Sequence, residues 1–248
     1  MEKQKSIGAR SFAIIRQHFA SLWLVAAWPH ICMAVLFLCV GAYLRGHRSP
    51  GDMSPMDLWS SMDGLQRSGM IGLFILMVSL PQGLAVGGVS AFVWTYLHTG
   101  TVSLRDAFAV VSGNFARLLV LSVCVGTVTI LGSMLVIPGF VAAIFTAMAI
   151  PIMLIEHVGI FAATRRGAKL AVSNLGTVAF SVFAAAAIGI VLVVSMFVTL
   201  FMWVMPNAPE WAVGIAVWTV LVVAVSLSQM VKATLLTNIY ADASRPNA

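Results

Sequence analysis

The chain has 248 residues, of which 60% are hydrophobic and 9% charged, with a mean hydropathy of +1.01. Soluble domains carry roughly 25% charged and 45–50% apolar residues. A water-soluble globule of this length has too little interior to hide so much apolar surface, so lipid is the expected solvent. The net charge of +6 suits inner-face segments meeting anionic lipid. No Lys/Arg stripe with interleaved aromatics marks a nucleic-acid surface.

In chain order, the first element is an amphipathic leader over about 6–21. It is too long for a signal peptide, and the apolar run behind it exceeds an h-region. Six spans are predicted at 22–44, 70–97, 118–137, 139–155, 178–205 and 211–239, each near the ~20 residues that cross the hydrocarbon. Two further amphipathic segments, about 103–117 and 159–177, precede the third and fifth spans. The three leaders share one pattern. Phe12, Ile15, Phe19 and Leu22 align with Phe108, Val111, Phe115 and Leu118, and with Ala168, Ala171, Leu175 and Val178. The spacing 0, +3, +7, +10 predicts one helical face. His18, Asn114 and Asn174 hold the same place in each copy. The expected fold is therefore an all-α integral membrane protein, with three hairpins each preceded by a cytoplasmic-side elbow helix.

Segment 45–69 reads as an outer loop, with one short helix near 56–62. Pro138-Gly139 reads as a tight turn between the third and fourth spans. Pro81 and Pro151 should kink their spans. Gly83, Gly87 and Ala91 form a small-residue ridge suited to close helix packing. Cys32, Cys39 and Cys124 make no disulfide framework and read as lipid-facing or packed thiols.

With the N-terminus inside, eleven Lys and Arg fall on the inner side and three (Arg45, Arg48, Arg67) on the outer, while the acids divide four and four. Basic residues favour the cytoplasmic side, so both termini are expected in the cytoplasm of a bacterial cell, with the spans in its inner membrane. Aromatics near the span ends agree; Trp218 does not, and is expected inside the bundle.

Ionisable groups within a membrane are functional candidates. Glu156 ends the fourth span, where the helix dipole disfavours a carboxylate. It is expected to form a structural ion pair across the turn with Arg165 or Arg166, with Arg165 favoured. Arg165, Arg166 and Lys169 are the candidate headgroup-binding cations. His30 follows Pro29 and is expected to bond a freed carbonyl. His30, Gln82, Asn114, Asn174, Gln229 and Lys232 could form a polar seam, though Lys232 could instead snorkel to the headgroups. No HExxH, GxSxG, P-loop or GxGxxG is present. The five histidines share no ligand spacing. No catalytic residue, metal ligand or cofactor is expected.

Residues 151–176 read PIMLIEHVGIFAATRRGAKLAVSNLG. Through Pro151, Glu156, Gly159, Ala163, Arg165 and Leu170, this segment resembles the six-span membrane-domain family associated with glycerophosphodiester phosphodiesterases. That family also occurs as stand-alone bacterial membrane proteins of unknown function. Arg166 stands where the family often has Ser. The resemblance implies a plasma-membrane, lipid-associated protein without phosphodiesterase activity, which resides in a separate soluble domain. The leading expectation is a non-enzymatic scaffold binding anionic lipid, or other membrane proteins, at the cytoplasmic face. The alternative is a transporter or permease-type subunit with a cavity lined by residues such as His30, Gln82, Glu156 and Gln229. An intramembrane enzyme would need clustered acids or histidines.

Overall fold

The computed structural model describes residues 2–46, 63–101, 103–133, 137–203 and 209–244. Among them the chain forms helices α1 (Glu2–Gly46), α2 (Gly64–Thr99), α3 (Leu104–Gly113), α4 (Phe115–Ser133), α5 (Ile137–Thr146), α6 (Ala149–Glu156), α7 (Ile160–Ser173), α8 (Leu175–Trp203) and α9 (Glu210–Ala243), with no strand. Six stretches are long and apolar enough to cross a membrane: Ser6–Val40, Gly64–Thr99, Phe115–Gly132, Ile137–Glu156, Leu175–Val198 and Ile215–Ala243. Helices satisfy every backbone group within themselves, as a lipid solvent demands.

α2 is the central helix. Every residue from 83 to 93 is buried, and α1, α3, α4, α6 and α9 pack around it. Its crossing with α4 depends on small residues. Gly83 faces Ser122, Gly126 faces Ser79, and Gly87 faces Leu118. The partners in each pair run antiparallel, so the Gly83–Gly87 ridge has a matching Ser122–Gly126 ridge opposite. Close backbone approach of this kind replaces the hydrophobic driving force that lipid cannot supply. α8 is peripheral, exposing Phe180, Phe183, Ile190 and Val191. Its Ala185 carbonyl accepts from the Ser228 hydroxyl of α9 at 2.7 Å.

The helical ladder breaks at the three equivalent polar residues. His18 (φ −120°, ψ 26°), Asn114 (φ −113°, ψ 15°) and Asn174 (φ −124°, ψ 34°) share one non-helical conformation. Each Asn donates its side-chain amide to the carbonyl four residues back, Val110 at 3.0 Å and Leu170 at 3.2 Å. The His18 ring instead packs edge-on to Tyr96, with centroids 4.7 Å apart. Burial repeats as well. Leu22, Leu118 and Val178 are 0% exposed, while Phe19, Phe115 and Leu175 are 49%, 45% and 49% exposed. The expectation of one continuous apolar face is corrected. The break falls between the second and third positions of the pattern, so the last two belong to a reoriented helix.

Other boundaries shift for local reasons. α2 begins at Gly64, not 70, because Asp63 and Gln66 form a reciprocal capping box (2.7 and 3.1 Å). Pro138 and Gly139 are not a turn; they lie in the first turn of α5, where a missing N–H is tolerated. Gly139 packs closely against Gly132 of α4. Pro81 leaves α2 unbroken, whereas the fourth span breaks at Ala147-Met148. Pro151 has no N–H for the Ala147 carbonyl and its ring crowds that oxygen. Trp218 stacks on Phe37 of α1 at 5.1 Å and is half-buried. The expected short helix at 56–62 lies outside the described residues.

Candidate functional site

Two polar sites emerge, one at the end of α6 and one inside the bundle. At the first, His157 takes a left-handed conformation (φ 53°, ψ 28°) and turns the chain from α6 into α7. Glu156 accepts from two other helices at once: the Arg166 guanidinium at Oε2 and the Tyr240 hydroxyl at Oε1, 2.9 Å away. The partner is therefore Arg166 and not the favoured Arg165. Adjacent helical residues point about 100° apart, and the docking of α7 brings Arg166 round to Glu156.

That docking is set by Gly167. A Cβ there would lie 3.1 Å from the Ala149 nitrogen, so α7 rests directly on the break between α5 and α6. Three faces of α7 are then distinct. Ala163, Gly167 and Ala171 are buried, Phe161 and Val172 are exposed apolar residues, and Arg166, Lys169 and Ser173 make a polar strip. The strip borders a recess of about 480 Å³, shared with Ile152, Glu156 and Tyr240. Arg165 lies outside it and is exposed.

The second site is a cavity of about 190 Å³ among α2, α4, α5, α6 and α9, lined by Ser79, Gln82, Ser122, Thr146, Gln229 and Lys232 together with apolar residues. Among the described residues, neither Asp nor Glu lines it. The Oγ atoms of Ser79 and Ser122 and the Oε1 of Gln229 are buried without a hydrogen-bond partner. Ala147, whose carbonyl Pro151 cannot bond, is also in the wall.

The structure thus divides the predicted polar seam. Gln82, Gln229 and Lys232 come together in the cavity. Lys232 lines this space, which fits the seam and not the snorkelling alternative. Asn114 and Asn174 serve their own helix ends. His30 binds the Ala26 carbonyl through Nδ1 at 2.9 Å, not the Val25 carbonyl that Pro29 leaves free. Neither His30 nor Glu156 lines the cavity. Ser79 and Ser122 join the site without a sequence expectation, the spacings Ser79-x3-Gly83 and Ser122-x3-Gly126 being the available signal; Tyr240 is marked in the sequence only as an aromatic near the inner end of the last span.

Among the described residues, the cavity lining carries hydroxyl, amide and ammonium side chains and no carboxylate. Among the described residues, no three of His, Cys, Asp and Glu are grouped as metal ligands would be. The three cysteines are exposed. The chain matches no protein-family model, no curated protein and no solved structure.

Proposed function

We propose that this is a non-enzymatic polytopic protein of the bacterial inner membrane that binds anionic lipid headgroups at its cytoplasmic face and acts as a scaffold there. The observation that carries the reading is the three-way division of α7. One face packs on the bundle, one presents Phe161 and Val172, and one presents Arg166, Lys169 and Ser173 around the recess. A helix lying at a membrane surface needs such a division: protein contact, acyl contact and headgroup contact. In this reading, the segments ending at His18, Asn114 and Asn174 are elbows along one leaflet, each introducing a hairpin of two spans. Both termini lie in the cytoplasm, as the basic-residue asymmetry favours. Arg165, near the edge of the polar strip, adds a third cation for the headgroup layer.

The test is lipid retention. Replacing Arg165, Arg166 and Lys169 with Gln should lower the anionic phospholipid that copurifies in mild detergent, while zwitterionic lipid stays unchanged. Equal anionic lipid in wild type and variant overturns the reading.

A second reading, a transporter or permease-type subunit, is favoured by one observation: the helix interrupted at Ala147-Met148 beside a polar cavity. Interrupted spans that line cavities are a recurring transporter device. Cysteine-accessibility labelling after Gln82→Cys and Gln229→Cys decides it. Reaction with a water-soluble reagent supports transport, and complete protection removes it.

A further inference from the structure

We propose that the recess between α6, α7 and α9 selects a phospholipid whose headgroup is a singly charged phosphodiester bearing hydroxyl groups. Arg166 and Lys169 take the phosphate; Glu156, Ser173 and Ser244 take the hydroxyls. The inference rests on the headgroup reading above and adds to it which headgroup the site prefers.

The recess separates donors from acceptors. Its cations, Arg166 and Lys169, lie three residues apart on α7, a spacing that puts both on one side of a helix. Arg166 spends Nη1 on Glu156 and keeps the rest of its guanidinium fork for a ligand. Lys169 is exposed and, among the described residues, no acid pairs with it. Elsewhere the lining offers lone pairs. The Ser173 hydroxyl donates to the Leu170 carbonyl at 3.0 Å, the Ser244 hydroxyl to the Ala241 carbonyl at 3.2 Å, and the Tyr240 hydroxyl to Glu156 at 2.9 Å. With their protons committed in this way, the three oxygens meet a ligand only as acceptors, as does the Glu156 carboxylate. Both serines are exposed, and 24% of the Glu156 side chain is accessible, so a ligand can reach them.

Charge sets the phosphate. Two cations against one carboxylate leave a single net positive charge in the lining, which one phosphodiester neutralises. A phosphomonoester brings up to two negative charges near neutral pH and meets Glu156 as a repulsive neighbour. The acceptor rim sets the rest of the headgroup. A group with O–H donors satisfies it, whereas an alkyl ester desolvates it without return. The apolar wall residues Ile152 and Leu170, with Phe161 and Val172 exposed on the same helix, favour a lipid over a free phosphate. The volume of about 480 Å³ is that of a small-ligand site.

The experiment varies headgroup charge and donors separately. Purified full-length protein is placed in phosphatidylcholine nanodiscs that carry one further lipid at equal mole fraction. The four arms are phosphatidylglycerol, phosphatidylmethanol (same charge, no hydroxyl), phosphatidate, and phosphatidylethanolamine (donors without net charge). Lipid that stays bound after release into mild detergent is counted by mass spectrometry. Phosphatidylglycerol should be retained several-fold over each of the others. Ser173→Ala with Ser244→Ala should erase its advantage over phosphatidylmethanol, and Glu156→Gln should raise phosphatidate retention. Lys169→Gln should weaken retention of the three anionic lipids several-fold. Arg165→Gln, outside the recess, should leave the order of preference unchanged. Monodispersity and thermal melting are followed for each variant; if Glu156→Gln does not fold, the serine pair carries the test. Equal retention of the three anionic lipids, or an unchanged preference in the folded serine variant, overturns this proposal and leaves the headgroup reading standing. Retention of no anionic lipid overturns both. Displacement of phosphatidylglycerol by an equal concentration of its deacylated headgroup overturns the assignment to a lipid.

Discussion

The Oγ of Ser122 occupies the space a side chain at Gly83 would need: a Cβ there would fall 1.6 Å from it. The relationship is reciprocal, because a Cβ on Gly126 would fall 1.7 Å from the Oγ of Ser79. Two helices of a membrane bundle are thus held at a distance that tolerates no methyl on either side. Gly83→Ala should destabilise the protein by about 1–3 kcal/mol, the usual cost of overpacking. Gly72→Ala, where no described atom lies within 4 Å, should be silent. Ser122→Gly introduced with Gly83→Ala should recover part of the loss, a coupling that thermal unfolding of the four species measures directly. Additive effects would show that the crossing does not depend on this contact.

Glu156 joins three helices, and its two bonds differ in setting. Arg166 is mostly exposed, with 58% of its side chain accessible, so Arg166→Gln should cost less than about 1 kcal/mol. Tyr240 is buried, and Tyr240→Phe should cost about 1 kcal/mol. Glu156→Ala, which removes both acceptor oxygens, should approach the sum of the two. Arg165→Gln should change stability little, because Glu156 is bonded to its neighbour. Melting temperatures in detergent check all four, and a larger loss for Arg165→Gln than for Arg166→Gln would reverse the assignment.

What could be read from the sequence follows from which forces are local. Bulk composition decides the solvent, so six apolar spans were legible before any coordinate. His18, Asn114 and Asn174 stood out as polar residues recurring at one place in an apolar pattern, and the ladder breaks at each of them. That the break divides the pattern into two faces was not legible, since periodicity assumes an unbroken helix. Pro81 and Pro151 look alike in sequence, yet only the second coincides with a break. Gly167 packs α7 directly against that break, and no local signal announces this contact. The cavity was hidden for the same reason. Gln82, Gln229 and Lys232 each stand out in an apolar span, but their meeting depends on how α2 and α9 turn toward each other. The Ser–Gly ridges that set the α2–α4 crossing were visible only on one side.

His157 holds a conformation that costs a β-carbon residue roughly 1–2 kcal/mol relative to ordinary helix. It is the one non-glycine residue with positive φ among the described residues, and it is exposed. His157→Gly should therefore keep the turn from α6 into α7 and leave stability equal or slightly higher. His157→Val should lower it by more than 1 kcal/mol, since branching at Cβ crowds the left-handed region further. The contrast is read as the difference in melting temperature between the two variants. A less stable glycine variant would mean that the imidazole makes a stabilising contact of its own.

The break at Asn114 has a geometric consequence that spectroscopy can test in intact membranes. Ala109 on α3 and Val128 on α4 are both exposed, and a straight helix would separate positions nineteen apart by about 28 Å at 1.5 Å per residue. With Cys32, Cys39 and Cys124 replaced by Ala, spin labels at Ala109→Cys and Val128→Cys should give a distance well below that length. Asn114→Leu removes the side-chain bond to Val110 and the polar group at the bend. The distance distribution should then broaden toward the straight-helix value, with a stability loss of about 1 kcal/mol. The same pair of measurements across Asn174, using Val172→Cys and Ile190→Cys, should behave alike, because the two breaks share their backbone angles and their side-chain bond. A wild-type distance at the straight-helix length would mean that α3 and α4 are one rod, and the interfacial role assigned to the shorter helices would fall with it.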